Sequence, residues 1–243
     1  AFGYGNISMG KEEGITITLD KKPGFVTTFA MDIVPPVDGS IQTSVTEEQK
    51  QVNAKRLLEE DKIRNAYVKT FYTEEKADSL TKSLGIDPLK TADYLIGSRG
   101  NWKEIELFLS EAPAEKRSMA MDLLGVISAK DLRDTPASVL LDHLNNTGAN
   151  ESLLFTSYIL NPRITSEFLT PYKKVLSAGF DSSFIKSVRE NPQMLVKWVK
   201  DSIRIADDLN AQRISVMPLG VWKSRVADTD SRDVFFVALS RSL

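Results

Sequence analysis

The chain has 243 residues, no cysteine, one histidine and a formal net charge of −2 at pH 7. The lack of cysteine excludes disulfides, thiolate metal sites and a cysteine nucleophile in this sequence, and a single histidine leaves too few nitrogen ligands for a zinc site, so no cofactor is expected. Lysine and arginine are interspersed with aspartate and glutamate without a basic stripe, which argues against a nucleic-acid partner. The longest apolar run, 234–239, is far short of the roughly twenty residues of a membrane span.

Residues 1–34 read as β structure. Ile15, Ile17 and Leu19 alternate with Thr16 and Thr18, and Phe25, Thr27, Phe29, Met31 and Ile33 line one face of a second strand. Strands of this length cannot bury both faces alone. Residues 1–40 are therefore expected to be a partial β-sandwich-like segment. The chain starts inside an apparent strand with no signal segment, so it is expected to be a piece of something longer. Pro35-Pro36 ends the strand, because proline lacks the ladder donor, and residues 35–45 form a polar linker.

From Thr46 the pattern turns helical, and residues 46–150 are expected to form a helical domain. Thr46 and Gln49 make a capping box for a charged helix reaching about Lys69. Val52, Leu57, Ile63, Ala66 and Tyr67 are its loose apolar stripe. A helix over 74–84 stops at Gly85, and Asp87-Pro88 opens the next. Asn101 and Glu104 have the spacing of another cap. Pro113 opens a helix through about Ile127, residues 131–135 link, and a helix follows over 136–145. Short helices with polar joints suggest stacked α-hairpins, and no fixed repeat is evident. Trp102 with Arg99 and Arg133 reads as core packing plus surface charge. His143, in the segment 138–146, reads as a helix C-terminal or surface histidine. Asn145-Asn146-Thr147 matches a glycosylation sequon.

Beyond residue 150 the period predicts helices over 151–160, 166–176, 182–189 and from Asn191-Pro192 to about Leu209, the last burying Leu195, Trp198, Val199, Ile203 and Ile205. Residues 210–230 have no sustained period and read as a long loop, a feature more often functional than not. An apolar helix opened by Asp230 or Ser231 follows.

The stretch 226–243, with Phe235-Phe236-Val237-Ala238-Leu239 and Arg241, resembles the transglutaminase-like superfamily, whose members have a papain-like fold. In that family a loop delivers a cysteine to the N-terminus of a buried apolar helix. Unpaired N–H groups and positive dipole at such an end lower a thiol pKa and form part of an oxyanion hole. The resemblance covers about eighteen residues, or about fifty with the helix containing Trp198 and the loop after it. It implies that 151–243 is the N-terminal helical part of a transglutaminase-like core. The expected fold is mainly α, a small N-terminal β piece followed by a helical array leading into the first helices of that α+β core. The helical region also looks like the middle of large exported bacterial proteins with such a domain, which implies a cell-envelope location.

The chain departs from the family pattern in three ways. Counting back from Arg241 puts the nucleophile at Thr229, and the nearest other hydroxyl is Ser231; neither ionises without a nearby base. Charged Arg232-Asp233 replaces a small residue. The family's histidine and aspartate would lie beyond Leu243. The reading that follows is a non-catalytic or truncated transglutaminase-like protein with a structural or ligand-binding role, its partner a peptide or polysaccharide. Two alternatives stay open: a peptidase or amidase using Ser231 or Thr229, and a helical interaction scaffold. Without a covering sheet, Phe235, Phe236 and Leu239 are expected to pack on the helix of Trp198 or to lie exposed.

Overall fold

The structure, a computed structural model, describes residues 44–148, 152–210 and 212–243, with Leu153 described by its backbone alone. The expected β segment at 1–40 lies outside the described residues. The described chain is mainly α. Helix α1 (Glu47–Val68) opens on the predicted box: Gln49 N donates to Thr46 Oγ1 at 3.2 Å and Thr46 N donates to Gln49 Oε1 at 2.9 Å. No residue of α1 is buried. At 100° per residue, Val52 and Ile63 lie about 20° apart around the axis but Leu57 lies about 140° from Val52, so the apolar residues share no single face. One-turn ion pairs such as Lys50–Glu47 and Arg64–Asp61 support the helix instead. Near its end the Tyr67 hydroxyl occupies the space a Cβ on Gly100 would need, so a larger residue there would push the tyrosine ring aside.

The first core follows. Helix α2 (Glu74–Leu84) stops at Gly85, whose φ of +64° is the left-handed conformation that glycine adopts without Cβ strain. The Asp87 carboxylate caps α3 (Pro88–Gly97) by accepting from Leu89 N and Lys90 N. Helices α4 (Trp102–Glu111), α5 (Arg117–Val126), α6 (Ala129–Asp134) and α7 (Ala137–Asn145) complete the body. Leu95, Ile105, Phe108, Leu123, Leu140 and Leu144 are buried at its centre. Trp102 packs edge-on against Tyr72, and the Arg133 Nε donates to Gly97 O.

Two local readings are corrected. Asn101 does not cap α4; its amide donates to Leu132 O and Thr135 O. Glu104 accepts from Ala137 N at 2.8 Å, in the first turn of α7. A cap-like pair is thus spent on elements more than thirty residues away. The predicted link 131–135 lies mostly in α6, because Ser128 Oγ accepts from Asp131 N and starts a turn of helix.

A short helix α8 (Leu153–Phe155) runs into a wide π-turn, Thr156–Leu160. The predicted helix 166–176 survives only as α9 (Lys173–Ser177). The cause is Glu167, which is buried and turns its carboxylate back to accept from Ile164 N and Thr165 N at 2.7 Å each. These bonds close a local turn in place of a helical register. Helix α10 (Ser182–Glu190) is capped by Asp181. Helix α11 (Gln193–Ser202) is shorter than its pattern predicts, because Arg204–Ile205 leaves it as strand β1 and pairs in parallel with β2 (Val226–Ala227). Ile205 consequently stays exposed. The predicted loop 210–230 holds helix α12 (Pro218–Ser224), ended by Arg225 at φ +57° with its guanidinium over Trp222 and Trp198. Helix α13 (Thr229–Ser242) is the centre of the second core. Phe235, Ala238 and Leu239 are fully buried among Leu176, Leu195, Val199 and Val221, and Phe236 is partly buried.

A layer of polar bonds joins the two cores. The Arg163 guanidinium grips the buried Asp131 carboxylate through Nε at 2.7 Å and Nη2 at 2.5 Å. Arg241 Nη1 donates to Asn161 O and Arg163 O. Asp142 Oδ2 and Oδ1 accept from the backbone N–H groups of Lys173 and Lys174 at the start of α9. Among the described residues no helix is long and apolar enough to cross a membrane.

Candidate functional site

The apolar period of α13 places its N-terminus at the surface beside β1, and the turn Asp207–Leu209 after β1 faces it. Asp228 is the N-cap. Its Oδ1 accepts from Ser231 N at 3.0 Å and its Oδ2 from Ser231 Oγ at 2.6 Å. The Asn210 amide donates to the same Oδ2 at 2.7 Å. Asp207 reaches across from the turn: Thr229 N donates to its Oδ1 at 2.7 Å and Thr229 Oγ1 to its Oδ2 at 3.2 Å. Two carboxylates therefore satisfy N–H groups of the first helical turn, where anionic side chains are favoured by the dipole. Burial pushes the Asp228 carboxyl up, but the Ser231 and Asn210 donors outweigh it and hold the group below the usual aspartate value.

The predicted site residues differ in their surroundings. Ser231 is fully buried and its hydroxyl is engaged twice, donating to Asp228 and accepting from Val216 N at 2.9 Å. Thr229 is exposed, with the Asp207 carboxylate as its hydroxyl's acceptor. No histidine is near either, because His143 lies fully buried in α7 against the ring of Tyr172. His143 is in the last turn of its helix, as its sequence position indicates, but it is not a surface residue. Of the sequon, Asn145 and Asn146 are exposed, whereas Thr147 is buried, donates to His143 O and accepts from Lys173.

Two adjoining cavities lie over this helix end. One of about 550 Å³ is lined by Asp207, Asn210, Arg213, Asp228, Thr229 and Asp230. The other, about 440 Å³, shares Arg213 and Asp230 and continues past Thr165, Ser166, Ser215 and Asp233. Along the first, Asp207, Asp228 and Asp230 face one cation, Arg213; along the second, Asp233 is paired with Arg232 at 2.7 Å, which leaves Asp230 beside Arg213. Asp207, Asn210, Asp228 and Arg213 were not singled out in the sequence. Only Asp228, three residues before Ser231, carried a readable cap signal. Among the described residues no group of three or more histidine, aspartate or glutamate side chains is arranged to hold a metal ion. Compared with known proteins, the chain matches no family model, no curated protein and no solved structure.

Proposed function

We propose that the chain is a non-catalytic transglutaminase-like module at the cell envelope, with a structural role or the binding of a peptide or polysaccharide at the cleft over α13. The observation that carries this reading is the closed N-terminus of α13. Where a thiolate enzyme needs free N–H groups and a nucleophile, Asp207 and Asp228 accept from the N–H groups of Thr229 and Ser231. Hydroxyl nucleophiles need a base; the Asp228 carboxylate that faces Ser231 is held below its ordinary value and is therefore a weak one, and Ser231 itself is fully buried. The carboxylate excess in the cavity lined by Asp207, Asp228 and Asp230 favours a basic peptide over an acidic glycan.

The test is thermal. A short lysine-rich peptide and a neutral oligosaccharide are each titrated into the protein and the melting temperature followed. A ligand that binds only the folded state raises it. The reading predicts a saturable rise with the peptide that is reduced in Asp230→Asn. No rise with either ligand would refute the binding role.

A further inference from the structure

The layer between the two cores contains a buried cation that is ion-paired with no carboxylate among the described residues. Lys173 is fully buried, and its ammonium donates to the Thr147 hydroxyl and to Ile159 O at 3.1 Å. Asp142 on α7 favours the ammonium through space, but its carboxylate accepts from the backbone N–H groups of Lys173 and Lys174 rather than from the ammonium. Beside the ammonium stands His143, fully buried, with neither ring nitrogen hydrogen-bonded among the described residues. The Tyr172 ring meets it edge-on at 4.6 Å.

Other charges reach the same place. Arg241 of α13 opposes the charged forms of both Lys173 and His143, and Lys116, before α5, opposes that of Lys173. Lys116 itself holds the end of α7 through Leu144 O and Asn145 O. On the acidic side, Glu167 is already spent on Ile164 N and Thr165 N, and Asp131 on Arg163. Burying a cation is costly in desolvation unless it is well paired. Two positive charges here would oppose each other as well.

We propose that this polar layer is a pH-responsive joint: the two cores dock least tightly when Lys173 and His143 both carry a proton, and most tightly in mildly alkaline solution, where a neutral Lys173 still donates to Thr147 and Ile159. Burial first, then Arg241, brings the Lys173 ammonium down from its ordinary 10.5 to about 8, and burial holds His143 well below its ordinary 6.5. Both groups bind protons more readily once the joint opens. Closure therefore weakens as pH falls below 6.5, where His143 is protonated only in the open form. It strengthens as pH rises from about 7 toward the ordinary lysine value.

The backbone amides of Lys173 and Lys174 donate across the joint, so their hydrogen exchange reads its opening. After correction for intrinsic rates, the opening constant should fall about tenfold between pH 7 and pH 9. In Lys173→Met, which keeps the length and removes the charge, the fall should vanish. In Thr147→Val, which removes an acceptor of the ammonium, the difference between the two pH values should widen. The proposal is overturned if wild-type opening is flat across this range, if Lys173→Met retains the tenfold change, or if Thr147→Val narrows it. Should Lys173→Met fail to fold, the wild-type and Thr147→Val profiles decide the question.

Discussion

Removing the Asp228 carboxylate should unlock the end of α13. In Asp228→Ala the helix loses its N-cap, a change that typically costs about 0.5–2 kcal/mol. The buried Ser231 hydroxyl also loses the acceptor it reaches at 2.6 Å. Leaving such a group unpaired costs about 1–3 kcal/mol. The sum is about 1.5–5 kcal/mol, a large part of the stability of a domain. Urea unfolding followed by the fluorescence of Trp198 and Trp222, both packed on this core, measures it. Ser231→Ala should cost less alone, and the double variant should fall well short of the sum, since either change breaks the same bond. A loss below about 0.5 kcal/mol for Asp228→Ala, or strict additivity in the cycle, would refute the description of a closed helix end.

Phe235→Ala removes a fully buried ring from the centre of the second core and should cost about 3–5 kcal/mol in the same assay. Asp131→Ala strands the Arg163 guanidinium between the cores and should cost a similar 3–5 kcal/mol, about the loss for one partner of a buried pair. Burial pushes the Asp131 carboxyl up, but Arg163 and Ser128 outweigh it and hold it below its ordinary value. Its contribution is therefore complete above pH 3.8 and is lost as pH falls through the lower folded value, so an Asp131→Asn variant should show a shallower acid transition than wild type. Gly85→Ala forces a Cβ into the left-handed region and should lower stability by about 1 kcal/mol.

The sequence was most legible where side chain and backbone partners lie within one turn. Thr46 with Gln49, Gly85, and Asp87 before Pro88 all perform the local roles their types indicate. Asn101 and Glu104 have the same local signature, yet their partners are Leu132, Thr135 and Ala137. Spacing alone cannot tell a cap from a long-range bond when the residue types serve both. The region 166–176 misleads for a related reason. Its period is helical, but a buried Glu167 finds two N–H donors just behind it. Strand β1 has only two residues, so alternation had nothing to register, and its partner lies 22 positions further on.

The candidate site follows the same division. The apolar face of α13 is written in Val234, Phe235, Ala238 and Leu239, all buried. The groups that close its N-terminus come partly from Asp207 and Asn210, which only the fold brings to Thr229 and Asp228. The polar joint was hidden further still, because Lys173 and His143 belong to residue types usually solvated or catalytic and here are wholly enclosed.

Turnover of an amide or isopeptide substrate, assayed with the wild-type protein beside Ser231→Ala and Thr229→Ala, tests the non-catalytic reading most directly. Release of amine no faster than the uncatalysed background, unchanged by either substitution, is the predicted result. Measurable hydrolysis that disappears in Ser231→Ala or Thr229→Ala would contradict it.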